Sequence, residues 1–325
     1  MVKAVIMHET GGSEVLRWEA YDPGQPKTGE ILIRQEAVGL NFIDVYHRTG
    51  LYPLPSLPAI PGMEGAGVVE AVGEGVNEFT KGDRVAYAGL PPGAYAEARV
   101  MPAHRLVKLP EFISTRQAGA MMLQGMTARY LLHGCYKVKA GDRILIHAAA
   151  GGVGLIVCQW AKYLGASVIG TVGSPEKADL AASHGCDHPI LYRDEDFVSR
   201  VKEITKKKGV DVVYDSVGQS TFVKSLDCLR PMGMMVSFGQ SSGPIPPIDT
   251  GILAAKGSLF LTRPSLMAYT ASREDLLAHA RDLFEVVDKG VVKIEVRQTY
   301  PLAEASRAHQ DLEDRKTTGS TLLIP

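Results

Sequence analysis

At 325 residues, 45% hydrophobic and 22% charged, the chain is long enough for two cores and fits two domains better than one. Its formal net charge of -1 leaves no global electrostatic drive toward nucleic acid or an anionic membrane. Four widely spaced cysteines (Cys135, Cys158, Cys186, Cys228) form no CxxC pair, which suggests neither a disulfide framework nor a zinc knuckle; they read as reduced, mostly buried thiols. The N-terminal apolar run is too short for a signal peptide, and no window approaches the ~18 apolar residues of a membrane span, so the expected compartment is the cytoplasm.

In chain order, the first 110 or so residues carry strand patterns punctuated by glycine and proline. EILIRQEAVGL alternates over Glu30 to Val38, GAGVVEAVGEGV is β-rich from Gly65 to Val72, and DRVAYAG, AYAEARV and HRLVKLP add short strands. Such spacing suggests a compact, mostly antiparallel barrel or sandwich. The character changes near Ser114, where STRQAGAMMLQGMTARYLLHGCY reads as helix. Beyond it RILIHAA, ASVIGTV, DVVYDSV and GMMVSFG alternate with the helical GGVGLIVCQWAKYLG and SPEKADLAASHG, which is the order of βαβ units in a doubly wound parallel sheet. From about Ser265, a long helix and a final helix-strand pair return the chain to the first domain. The acidic stretches DEDF and DLEDR read as solvated helix faces, and the lone histidines His47, His133, His147 and His184 as structural.

The segment HAAAGGVG joins a strand to a helix and places Ala149, Gly151 and Gly154 where a dinucleotide-binding turn has three glycines. The second and third glycines, which let the backbone approach the pyrophosphate and let helix and strand pack closely, are kept; Gly152 and Val153 lie between them. The helix start offers free N–H groups and a positive dipole end to the phosphates. The next strand ends in GSPEK, without the acidic residue that accepts from the ribose 2'-hydroxyl of NAD. Gly173 and Ser174 are uncharged and Lys177 follows one turn later, which suits a 2'-phosphate of about -1.5 to -2 charges. The expected cofactor is therefore NADPH, with Glu176 as the one nearby group that opposes it.

Taken in order, VGLNFIDVYHRTGLYP, PGMEGAGVVEAVG, GDRVAY, LQGMTARYLL, HAAAGGVG and LTRPSL resemble the medium-chain dehydrogenase/reductase superfamily, in its zinc-independent, zeta-crystallin-like quinone oxidoreductase branch. The resemblance implies an α/β chain with a Rossmann doubly wound parallel sheet plus a GroES-like, mostly antiparallel β-barrel domain. It places the catalytic domain at 1–124, the NADPH-binding domain at 125–264 and the return at 265–325. In the superfamily's zinc alcohol dehydrogenases a cysteine stands at the place of Asn41 and a histidine at that of Met63. An amide and a thioether are poor replacements, and Glu64 alone cannot hold zinc, so no metal is expected. Without a Lewis acid to ionise an alcohol, acceptors already activated for hydride, quinones first and α,β-unsaturated carbonyls second, are favoured.

By position, the resemblance puts Asn41, Tyr46 and Tyr52 at the nicotinamide end of the cleft, with Asn41 orienting the ring or bonding the acceptor oxygen. With phenol pKa values near 10, the tyrosines suit hydrogen-bond donation better than obligatory acid catalysis. Thr127 is expected near the nicotinamide phosphate and Tyr192 at the adenosine end, while Asp44 fixes its loop. Gly218, Phe238, Gly239 and Gln240 end strands whose carboxyl ends line a ligand crevice. Leu261, Thr262 and Arg263 reach the carboxamide or the interdomain edge, and Arg315 adds to the 2'-phosphate site. GSLFLTR is expected to pair edge to edge in a homodimer. The family also includes lens crystallins and AU-rich RNA binders, but the chain lacks a basic, aromatic-interleaved surface motif, so RNA is not expected as its main ligand.

Overall fold

The computed structural model describes residues 1–325 and divides into two compact units, Met1–Met126 with Thr270–Asp288 and Ile294–Pro325, and Thr127–Tyr269 with Lys289–Lys293. No helix is long and apolar enough to cross a membrane.

The first unit opens with seven strands: β1 (Val2–Ile6), β2 (Arg17–Tyr21), β3 (Glu30–Leu40), β4 (Glu64–Val72), β5 (Arg84–Ala88), β6 (Ala98–Pro102) and β7 (Val107–Lys108). The second unit holds β8 (Arg143–His147), β9 (Ser167–Val172), β10 (His188–Leu191), β11 (Val210–Asp215), β12 (Leu229–Ser237) and β13 (Phe260–Thr262). The chain then returns to the first unit for β14 (Val296–Pro301) and β15 (Ser320–Ile324).

In the first unit β3 is the hub, antiparallel to β4, β6 and β15. Its alternation turns Ile31, Ile33 and Gln35 inward, where the two isoleucines join Val5, Met7, Val69, Val85, Tyr95, Met101 and Leu323 in one core. β15 pairs in parallel with β14. The β1–β2 pair and β14 carry no clear apolar alternation and were not anticipated; in β14 the half-buried positions include Gln298 and Tyr300 rather than a run of aliphatics.

The second unit is a six-stranded parallel sheet in the order β10-β9-β8-β11-β12-β13. The chain switches direction between β8 and β11, as in a doubly wound dinucleotide fold, so the carboxyl ends of those strands mark the expected ligand side. Leu145, Ile169, Ile190, Val213, Phe222 and Met235 lie in a core on this sheet. β13 ends the strand order, with Phe260 57% and Leu261 38% exposed.

Three expectations need correction. The helix read over Ser114 to Tyr136 is broken into Thr115–Ala118, Met122–Arg129 and a π-helical turn Tyr130–Cys135. Gly119 marks the first break, because a Cβ there would lie 2.8 Å from that of Ala37. DEDF is a capping turn: Asp196 accepts from Ser199 N at 3.1 Å and starts the helix Phe197–Ile204, while Glu195 accepts from Leu191 N. DLEDR is not simply solvated either. Asp311 accepts from the Tyr300 hydroxyl at 2.9 Å, and Glu313 pairs with the buried Arg48 at 2.8 Å.

Candidate active site

In the second unit β8 ends at His147 and the backbone turns through Ala148 at φ 55°. Ala149 N donates to Thr171 O at 3.1 Å and Gly151 N to Ala148 O at 2.9 Å. The helix Gly152–Tyr163 follows with Gly151 as an N-cap that has no side-chain bond, so its first-turn N–H groups are offered outward. Gly154 is required by contact: a Cβ there would sit 2.4 Å from Ala148 O. The alanine at the first glycine position has a structural complement, since a Cβ on Gly170 would fall 2.6 Å from that of Ala149. The turn keeps its shape because β9 has a glycine where the methyl packs.

β9 ends at Val172; Gly173 and Ser174 follow it, and Ser174 Oγ caps the helix Pro175–Ser183 by accepting from Lys177 N. A Cβ on Gly173 would lie 3.0 Å from the Tyr192 hydroxyl, so these two sequence-predicted residues are brought together. No carboxylate occupies the last position of β9 itself. Glu176 does turn to Ser174, and this hydrogen bond holds its carboxyl below the usual range.

The carboxyl ends of β11 and β12 lead into Gly218 and into Phe238, Gly239 and Gln240. Gly218 sits at φ 88°, and a Cβ on Gly239 would meet Ser216 O at 2.7 Å. Phe238 N donates to Asp215 O, while Arg263 Nη1 donates to Ser237 O at 2.8 Å. Gln240 follows Gly239, Leu261 and Thr262 lie on β13, and Thr127 is buried on the helix Met122–Arg129. Arg315 belongs to the first unit, exposed at φ 60° just past the helix Ala305–Glu313.

The acceptor-side candidates lie in the first unit, where β3 runs into the helix Phe42–Arg48 with Asn41 as its N-cap. The Asn41 amide is held on both sides: Nδ2 donates to Glu64 Oε2 at 2.7 Å, and Oδ1 accepts from Gln124 Nε2 at 3.2 Å. Glu64 also accepts from Leu123 N at 2.8 Å, and burial pushes its carboxyl up to about 8 despite both bonds. Its head occupies the space beside Gly39, where a Cβ would collide with it. Tyr46 and Tyr52 meet edge to face with centroids 5.1 Å apart.

Asp44 fixes the start of this helix by accepting from Asn41 N at 2.9 Å. It also starts a buried chain that sequence reasoning missed. The Tyr95 hydroxyl lies 3.2 Å from Asp44 and 2.9 Å from His309 Nε2, and Arg48 Nη1 lies 3.4 Å from His309 Nδ1. Burial pushes Asp44 up to about 7; burial and the Arg48 charge push His309 down to about 3. Successive partners in this chain are separated by 51 to 261 residues, so no local pattern could have joined them.

Zinc does not fit the donor set beside Asn41. The amide is committed to two partners, Met63 is a thioether that is 1% exposed, and no group of three His, Cys, Asp or Glu side chains is arranged to hold a metal.

A dinucleotide-type parallel sheet joined in one chain to a mostly antiparallel unit fits the medium-chain dehydrogenase/reductase class. Family models agree: "Alcohol dehydrogenase GroES-like domain" matches residues 27–111 and "Zinc-binding dehydrogenase" matches 152–282. Within that class the chain belongs to the quinone oxidoreductase family and is an oxidoreductase. It is 52% identical to a quinone oxidoreductase of Pseudomonas aeruginosa, with all of both chains covered. It matches the structure of the Escherichia coli quinone oxidoreductase complexed with NADPH at 50% identity and a TM-score of 0.98, covering 99% of this chain and 100% of that one. A 2-haloacrylate reductase from a Burkholderia species is 47% identical, with 100% of this chain and 99% of the relative covered.

Proposed function

We propose that this chain is a metal-independent, NADPH-dependent quinone reductase. The observation that carries the cofactor preference is the end of β9, where Gly173 and Ser174 replace the carboxylate that would repel a 2'-phosphate, with Lys177 one turn on. NADPH supplies a hydride, which with one proton converts a quinone to its hydroquinone.

The turn Ala149–Gly154 holds the pyrophosphate, with Gly152 and Val153 giving backbone N–H groups to it. Ser174, Lys177 and Tyr192 hold the adenosine end, with Arg315 as a further cation. Thr127, Gly218, Phe238, Gly239, Gln240, Leu261, Thr262 and Arg263 hold the nicotinamide half. Asn41, fixed by Glu64 and Gln124, presents the edge of its amide, and Tyr46 and Tyr52 form an aromatic wall for a flat acceptor. In this reading 1–124 and 265–325 are the catalytic domain and 125–264 the cofactor domain. The protein works in the cytoplasm as a homodimer, paired through the exposed β13 edge.

NADPH and NADH oxidation measured in parallel against 1,4-benzoquinone, larger ortho-quinones and enals tests the reading. Equal use of NADH would overturn the cofactor preference, and loss of activity in EDTA would overturn metal independence. The similarity to a 2-haloacrylate reductase favours one second reading, reduction of an electron-poor alkene, which the enal arm separates. Light scattering showing only a 35.0 kDa species at micromolar concentration would overturn the dimer.

A further inference from the structure

The second unit contains a buried polar chain that runs beneath its cofactor loops. His147, the last residue of β8, places Nδ1 2.8 Å from the Thr171 hydroxyl on β9 and Nε2 2.8 Å from the Ser225 hydroxyl in the helix Phe222–Leu226. Ser225 Oγ donates to Thr221 O at 2.9 Å and lies 3.4 Å from Asp215 Oδ2 at the end of β11. Asp215 in turn accepts from Val217 N at 2.7 Å, Gly218 N at 3.0 Å and the Thr221 hydroxyl at 2.8 Å. None of Thr171, His147, Ser225 and Asp215 is more than 2% exposed.

The donor inventory allows the chain two directions, set by the His147 tautomer. Ser225 has one proton and three acceptors in reach, Thr221 O, Asp215 Oδ2 and His147 Nε2; with the proton given to either oxygen, Ser225 accepts from His147 Nε2–H. His147 Nδ1 then accepts from the Thr171 hydroxyl. Although serine, histidine and aspartate are adjacent, this is no hydrolytic triad: His147 Nδ1 faces threonine, and Ser225 Oγ is sealed from solvent.

We propose that Thr171, His147, Ser225 and Asp215 are positioning residues for the dinucleotide, one chain that holds the loop after β8 and the loop after β11 in mutual register. His147 immediately precedes Ala148, whose left-handed backbone starts the pyrophosphate turn, and Asp215 fixes the N–H groups that set the Gly218 turn. Thr171 also takes part through its backbone, because its carbonyl accepts from Ala149 N. A left-handed alanine persists only where its surroundings over-determine it, and this chain supplies that constraint on the strand side. The inference rests on the proposed dinucleotide function and adds to it the residues that set affinity without touching the ligand.

The test compares Ser225→Ala, Thr171→Val, the double variant, and His147→Gln against His147→Leu, by titration with NADPH and NADH and by steady-state kinetics at saturating quinone. Each break in the chain is expected to raise Kd and KM for the dinucleotide about tenfold, 1.4 kcal/mol, with kcat within twofold. The double variant should lose little more than either single one, because one chain is broken once. Glutamine, which keeps one donor and one acceptor, should recover most of the affinity that leucine loses.

Unchanged affinity in cooperatively melting variants, additive losses, or an effect confined to kcat would overturn the inference. If the variants do not fold, 15N-histidine NMR of the wild type decides, because a His147 ring that averages between its two tautomers contradicts a chain that fixes both nitrogens. Preference of the wild type for NADH would overturn the cofactor reading alone, and the same variants would then be judged on NADH.

Discussion

Ser174→Asp isolates the charge at the adenosine end of the proposed site. Aspartate caps a helix about as well as serine, so the bond from Lys177 N survives and the fold is expected to change by less than about 0.5 kcal/mol. What changes is one negative charge beside a 2'-phosphate of about -1.5 to -2. At a contact separation of about 5 Å, unit charges repel by about 0.8 kcal/mol in water and about 3 kcal/mol near a protein surface. Ser174 is half-buried, which puts the penalty for NADPH in the lower part of that span, about 1.5–3 kcal/mol once the phosphate charge is included, or about tenfold to a hundredfold in affinity. The new carboxylate also accepts from the free 2'-hydroxyl of NADH, a gain of about 1 kcal/mol. The ratio of kcat/KM for NADPH to that for NADH should therefore fall by about two orders of magnitude, and by less in high salt. Glu176 already turns its carboxylate to Ser174, so Glu176→Gln should move the ratio the other way by a few-fold. A ratio that stays put in Ser174→Asp, with the melting temperature preserved, would refute the argument that the end of β9 chooses the cofactor.

Other consequences concern stability and fit. Glu64 and Asp44 titrate in the folded chain at about 8 and about 7, above their ordinary values of 4.5 and 3.8. Each raised carboxyl contributes stability that is fully present below its unfolded pKa and lost as pH rises through its folded one. The melting temperature should thus fall between pH 5 and 8, and Glu64→Gln should flatten part of that slope; parallel slopes by calorimetry would contradict it. Glu313→Gln leaves the buried Arg48 guanidinium short of its carboxylate and should cost about 1–3 kcal/mol in urea unfolding, whereas Glu304→Gln, which breaks the surface pair with Arg307, should cost under about 0.5 kcal/mol. Gly170→Ala should weaken NADPH binding by pushing on Ala149, and adding Ala149→Gly should restore part of it; equal affinities in the two variants would show that the strand glycine does not set the turn.

Much of the architecture was readable because it is written locally. The alternation of β3, the strand-turn-helix around Gly151 and the absence of an acid after β9 each lie within about a dozen residues, which is the range over which backbone period and sterics act. β14 and β2 escaped notice because their half-buried positions mix polar and apolar side chains, and β1 because its short run, apolar except for Lys3, does not alternate. The break at Gly119 escaped for a related reason: the glycine answers to Ala37 across the unit, not to its own helix.

The chemistry divides along the same line. Asn41 could be singled out by its place in a motif, but its partners Glu64 and Gln124 lie 23 and 83 residues away, and with them the amide changes from a free contact into a fixed one. His147 is the converse case. Alone on an apolar strand it looks structural, and its burial supports that; only when Thr171, Ser225 and Asp215 arrive from three other elements does the ring become the joint between two loops. A buried polar group costs free energy unless it is fully partnered, so a buried chain whose members are all partnered tolerates little displacement of either loop. That rigidity, spread over residues up to 78 apart, is the part of the site that no reading of single positions could have supplied.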